Sequence, residues 1–131
     1  MVGYAISEIG PQTATAFTDS GATETIVLTM SNVNTGGIGG TVTIIGMVNI
    51  TTGTATTAVV VTVRRGGTIT SPIVGAAITV PAAATTKYAI PFEVVDNNLS
   101  EAGAVYTVDV TETSATGNGT VNYASVGGFT N

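Results

Sequence analysis

Valine, isoleucine and threonine together supply 55 of the 131 residues, and they recur at every second position in short runs. A β-branched side chain loses χ1 freedom in a helix but fits a pleated surface, so this composition selects strands first. Ile26, Leu28 and Met30 alternate with Thr25, Val27 and Thr29. Val42, Ile44, Val48 and Ile50 keep one parity around Gly46, and Val59, Val61 and Val63 keep another before the turn at Arg64, Arg65 and Gly66. A period of two sends each set to one face of a sheet. Tyr88, Ile90, Phe92 and Val94 form a further inward row, with Lys87 and Glu93 opposite, and Pro91 predicts an edge strand or a bulge because it lacks a backbone donor. Tyr106, Val108 and Val110 are expected inside, Thr107, Asp109 and Thr111 outside. Val121, Tyr123 and Ser125 mark the last strand.

Turn signals separate these runs: Asp19-Ser20-Gly21, the glycine-rich stretch Gly36 to Gly40, Thr52-Gly53, Arg65-Gly66-Gly67, Asp96-Asn97-Asn98 and Gly117-Asn118-Gly119. No helical period stands between them, and Ala82-Ala83-Ala84 is too short to form a helix alone. The predicted fold is all-β: a single-domain antiparallel β-sandwich, a jelly roll of eight or nine strands over residues 21–131. Residues 1–20 are expected to form an N-terminal arm or an edge strand. Val2, Tyr4 and Ile6 alternate there and are the candidate interface positions.

Charge is scarce. Eleven residues are charged, 8% of the chain against about a quarter in an ordinary soluble domain. Twenty-six are threonine. Removing a hydroxyl from water costs far less than removing a charge, so such faces suit burial against other copies or a larger lattice. The net charge of −5, with Arg64, Arg65 and Lys87 as the only cations, argues against nucleic acid. The Arg pair is expected in a solvated turn. No segment holds the roughly 18 apolar residues that a membrane-spanning helix needs. The start, MVGYAISEIG, has neither a basic nor a continuous apolar region and does not read as a secretory signal.

The residue types that carry chemistry are missing or scattered. Histidine, cysteine and tryptophan are absent, which removes the usual general base, thiol nucleophile and soft-metal ligand, and leaves seven Phe and Tyr to stack a sugar. Glu93, Asp109 and Glu112 are expected as solvated carboxylates on polar strand faces. An enzyme is not expected, and no catalytic residue or cofactor is assigned. Asp96, Asn98, Ser100 and Glu101 form the one oxygen-rich group that a Ca²⁺ ion could use. The match to an EF-hand loop fails where Glu101 replaces the required glycine, and an Asx turn accounts for the same residues.

From Val59 to Val126 the chain resembles a known kind of module. VVVTVRRGGTITSPIVG ends a strand in an Arg-Gly turn, IPFEVVD carries an aliphatic-Pro-Phe strand into Asp96, a strand follows at Tyr106, and SATGNG turns the chain from Ser114 to Gly119. These features resemble small jelly-roll bacteriophage virion structural proteins of the head-decoration or head-fibre type. More distantly they resemble tumour-necrosis-factor and C1q-like trimeric jelly rolls, from which the chain departs in having few aromatics and no tryptophan. The resemblance implies a non-enzymatic, symmetric structural protein.

Composition and resemblance lead to one expectation: a virion structural protein, a capsid decoration or small capsid-shell subunit, that self-associates through low-charge Thr/Val-rich faces. Its expected partners are copies of itself, in a trimer or higher assembly, and a capsid or other lattice protein. The alternative is a subunit of an extracellular filament or surface layer, built by strand donation or lateral stacking.

Overall fold

The alternating runs fold as strands. The computed structural model describes residues 3–9, 15–17, 24–34, 40–97, 103–113 and 119–130. Among them are β1 (Gly3–Ile9), β2 (Thr15–Phe17), β3 (Thr25–Asn34), β4 (Val42–Thr51), β5 (Ala58–Arg65), β6 (Ile78–Pro81), β7 (Lys87–Asp96), β8 (Gly103–Thr113) and β9 (Gly119–Thr130). Sheet A has the order β1-β9-β4-β7, with the short β2 also on β9, and sheet B has the order β3-β8-β5-β6. Every pairing is antiparallel.

The pairings are nested. β5 pairs with β6, β4 with β7, β3 with β8 and β1 with β9, so the chain behaves as one long hairpin whose arms wind from sheet to sheet. Two further ladders, β4 with β9 and β5 with β8, complete the sheets. That is the order of a jelly roll, and it confirms the predicted sandwich. β7 ends sheet A, which places Pro91 on an edge.

Inward rows meet in one core. Val42, Ile44, Val48 and Ile50 of β4 face Val59, Val61 and Val63 of β5, all essentially closed to water. Ile90, Phe92 and Val94 of β7 and Tyr106, Val108 and Val110 of β8 fill the same layer. At Gly46 the inward row of β4 carries no side chain, and Phe92, directly opposite in the register, uses the space. A Cβ built at Gly46 would come within 2.6 Å of the Phe92 ring and would strike the carbonyl oxygen of Ser125. The glycine therefore acts by its absence of bulk.

Three expectations change. Val27, expected outside, is buried beside Leu28, because the β3 register shifts between Ile26 and Leu28 and a bulge turns two successive residues inward. In β9 a second shift lies opposite Asn49 and Ile50, so Val121, Ala124 and Val126 are buried instead of Tyr123 and Ser125. The outward face of β8 is not exposed: Thr107 and Asp109 are buried there, while Glu112, opposite Val59, is buried on the inward face. β8 lies inside sheet B with neighbours on both sides, and its outer surface is covered by charged side chains described below.

Substituting Gly46→Ala should lower stability by about 1 to 3 kcal/mol, the usual effect of overpacking a filled core. Combining it with Phe92→Leu should recover part of that loss. Denaturant unfolding of the three variants checks both, and an unchanged midpoint for Gly46→Ala would contradict the packing described.

Candidate functional site

Arg64 and Arg65 are successive residues at the end of β5, so they leave the strand on opposite faces. Each is held by different acids, and neither sits in the solvated turn expected from sequence. Arg65 reaches the inner end of the sandwich, where its Nη1 lies 3.3 Å from Asp96 on β7. The hydroxyl of Tyr106, on β8 opposite Arg65, donates to Oδ2 of Asp96 at 2.8 Å. Asp96 continues the inward row of β7, so a buried carboxylate of sheet A is clasped by two donors of sheet B. A buried charge is tolerated where it is paired and hydrogen-bonded, and here both conditions hold.

Arg64 leaves on the outer face of sheet B. Its Nε and Nη2 donate to the two oxygens of Glu24 at 2.9 and 2.8 Å, a bidentate pair, and Nη1 donates to the Ser71 carbonyl at 2.7 Å. The segment after β5 is brought back beside it by a bridge from Arg64 to Ile73 and by hydrogen bonds from Arg65 N to Pro72 O and from Val74 N to Val63 O. Gly66 permits that return: its φ is 139°, and a Cβ there would lie 2.6 Å from Cβ of Ser71.

Asp109 lies under this pair. Its Oδ2 is 3.2 Å from Arg64 Nε, yet the single Nε hydrogen points to Glu24, and neither Asp109 oxygen receives a hydrogen bond. Burial, then the neighbouring Glu24 carboxylate, push the Asp109 acid up to about 7 from its ordinary 3.8, against smaller opposing effects of Thr107 and Arg64. Hydrogen bonds from Arg64 hold Glu24 below the usual carboxylate range and raise the guanidinium in turn. The cluster is therefore one arginine, one ionised glutamate and one acid that is neutral below pH 7. A third acid, Glu112, accepts from the Gly53 amide at 3.0 and 3.3 Å and fixes the loop after β4. Of the three carboxylates expected to be solvated, Glu93 is exposed, whereas Asp109 and Glu112 are buried.

With these charges held within the chain, the outer face of sheet A stands out. Opposite residues on paired strands share a face, so Val95 and Thr43, Glu93 and Ile45, Pro91 and Met47, Ala89 and Asn49, and Lys87 and Thr51 form five outward rows on β7 and β4. The register extends the first three rows through Phe129, Gly127 and Ser125 of β9 to Tyr4, Ile6 and Glu8 of β1. Two of the sequence-derived interface candidates, Tyr4 and Ile6, thus belong to this face by register. Val2 lies outside the described residues. Ile45 and Val95 are 39% and 40% exposed, and Lys87, Ala89, Pro91 and Glu93 are exposed with them, so the β7 side of this face is open.

Of the Ca²⁺ candidates, Asp96 is engaged by Arg65 and Tyr106, and Asn98, Ser100 and Glu101 lie outside the described residues. Among the described residues no group of three or more acids could hold a metal ion. No helix in them is long and apolar enough to cross a membrane.

No family model matches the chain, and no curated protein matches it. Solved structures do. A single-site mutant of the VP2 protein of infectious bursal disease virus, in derived T=1 particles, superposes with a TM-score of 0.63 at 12% identity over 97% of this chain and 31% of that one. The VP2 subviral particle of the same virus gives 0.58 at 13% identity over 99% of this chain and 32% of that one. The Gt strain of the virus gives 0.56 at 13% identity, covering 99% and 31%. The chain spans about a third of the length of these proteins. What they share with it is the fold.

The buried acid makes stability depend on pH in a defined direction. A folded-state pKa raised above the unfolded value stabilises fully below the unfolded pKa, near 3.8, and that contribution is lost as pH rises through about 7. Between about pH 5 and pH 8 the unfolding free energy should fall, and Asp109→Asn, which mimics the neutral acid, should be more stable than the parent at pH 8 by about 1 to 3 kcal/mol and flatter across the range. Thermal melts of both proteins along that series check it; a parent more stable at pH 8 than at pH 5 would contradict it.

Proposed function

We propose that this chain is a non-enzymatic structural protein of a virus particle, a small shell subunit or a decoration seated on a shell, that works by assembling with copies of itself. The observation that carries this is the distribution of charge over a jelly-roll fold. Arg64, Arg65, Glu24, Asp96, Asp109 and Glu112 are engaged within the chain, while the outer face of sheet A keeps two charged residues on β4 and β7, Lys87 and Glu93. A face of threonine, alanine and aliphatic side chains loses little when water leaves it. The same fold in VP2 of a particle-forming virus supports the reading. Its place is then the virion, and its partner beyond itself is a lattice protein that receives the same kind of uncharged face.

Sedimentation velocity of the full chain from micromolar to near-millimolar concentration, followed by negative-stain microscopy of the heaviest species, tests this. Discrete oligomers or closed particles are the expected outcome. A single monomeric boundary at every concentration would remove the proposal, and open fibres would replace a shell with a filament.

A further inference from the structure

The outward row of β7 reads Lys87, Ala89, Pro91, Glu93, Val95, and every one of these is exposed. A cation stands near one end and an anion near the other, with two small side chains between them. Neither Lys87 nor Glu93 has a charged partner among the described residues, although both arginines do. Reversed end for end, this row complements itself. The pattern points to a partner that presents the same row in the opposite direction, which is a second copy of this chain.

Edge and face are alternative places for such a contact. β7 is an edge strand, but Pro91 in its middle cannot donate to a ladder, and strand-to-strand addition along that edge is guarded accordingly. The face has no such guard. Ten residues of strand at about 3.4 Å and four strands at about 4.8 Å give a face of roughly 650 Å². Covering it on both copies buries on the order of 1,300 Å², which falls within the range of stable specific interfaces.

We propose that the outer face of sheet A packs on the same face of a second copy across a two-fold axis that crosses the strands beside Ile90, so that Lys87 of each copy meets Glu93 of the partner subunit. An isologous contact of this kind makes each charge pair twice. Ala89 and Pro91, on either side of the axis, let the β7 strands approach closely, while Ile45 lies on the covered area. The proposal rests on self-association and adds which face is used, which partner it meets and in what register.

The test uses charge reversal and a single thiol. Lys87→Glu should weaken self-association about tenfold, because two attractive contacts become repulsive, and Lys87→Glu with Glu93→Lys should restore it to within about threefold of the parent. Sedimentation equilibrium reads all three proteins. The chain has no cysteine, so Ala89→Cys introduces its only thiol. A short bis-maleimide should then link copies in pairs through residue 89, but not through Ile73→Cys, which lies on the segment beside sheet B. Oligomers that form normally but ignore the charge reversal, or that crosslink equally through both cysteines, would overturn the two-fold contact and leave self-association standing. A chain that stays monomeric would sink both.

Discussion

An inner layer of aliphatic side chains, shared by two sheets, is the constraint on which the rest of the structure depends. A strand has two faces, and β4 gives one of them wholly to the core through Val42, Ile44, Val48 and Ile50. Each such side chain stabilises the fold by about 1.5 to 3 kcal/mol when it leaves water. Because the inward parity is fixed by this layer, a one-residue slip would expose all four. The nested register then fixes which outward residues become neighbours. Gly46 belongs to the same constraint: the inward row must be continuous, yet the ring of Phe92 needs one position without a side chain.

With the inward parity committed, charge has few places to go, and this protein places most of it between elements. The two arginines at the end of β5 show how. One faces the core and clasps Asp96 with Tyr106 across the two sheets; the other faces outward and gathers Glu24 and Asp109 under the segment that follows β5. Partners hold Asp96, whereas Asp109 is accommodated by neutralisation, since a carboxyl that receives no hydrogen bond and lies beside another carboxylate is more stable protonated. The outer face of sheet A is left nearly neutral as a result.

How much of this could be read from residues alone differs from element to element. The parity of β4, β5 and β7 was plain, because nothing interrupts their ladders, and Pro91 marked an edge for a reason that holds in the fold. The bulges in β3 and β9 were invisible, since a bulge depends on the partner strand, and the sequence around Val27 or Tyr123 alternates whether or not one residue is skipped. Asp109 looked solvated because period two reports a face, not what covers it, and Glu24 is separated from it by most of the chain; Glu112 continues the inward parity of Tyr106, Val108 and Val110, and its partner, the Gly53 amide, lies in a distant loop. A signal was present in the adjacent arginines, for two cations in a chain with three must be weighed against burial as well as solvent. Of the Ca²⁺ candidates only Asp96 lies among the described residues, and its partners come from β5 and β8, which spacing within one loop does not reveal.

A jelly roll that pairs most of its charges between its own elements leaves few on the outer face of sheet A, and on the proposed reading that face is covered by another copy. The most direct measurement is an electron cryo-microscopy map of the self-associated protein, resolved well enough to trace side chains. The account predicts that the outer face of sheet A is buried, with Ile45 and Lys87 against another copy and the Arg64, Glu24 and Asp109 cluster intact within each chain. A map in which that face is open to solvent and copies meet through the segment with Ile69 and Ile73, which are also exposed in the single chain, would contradict it.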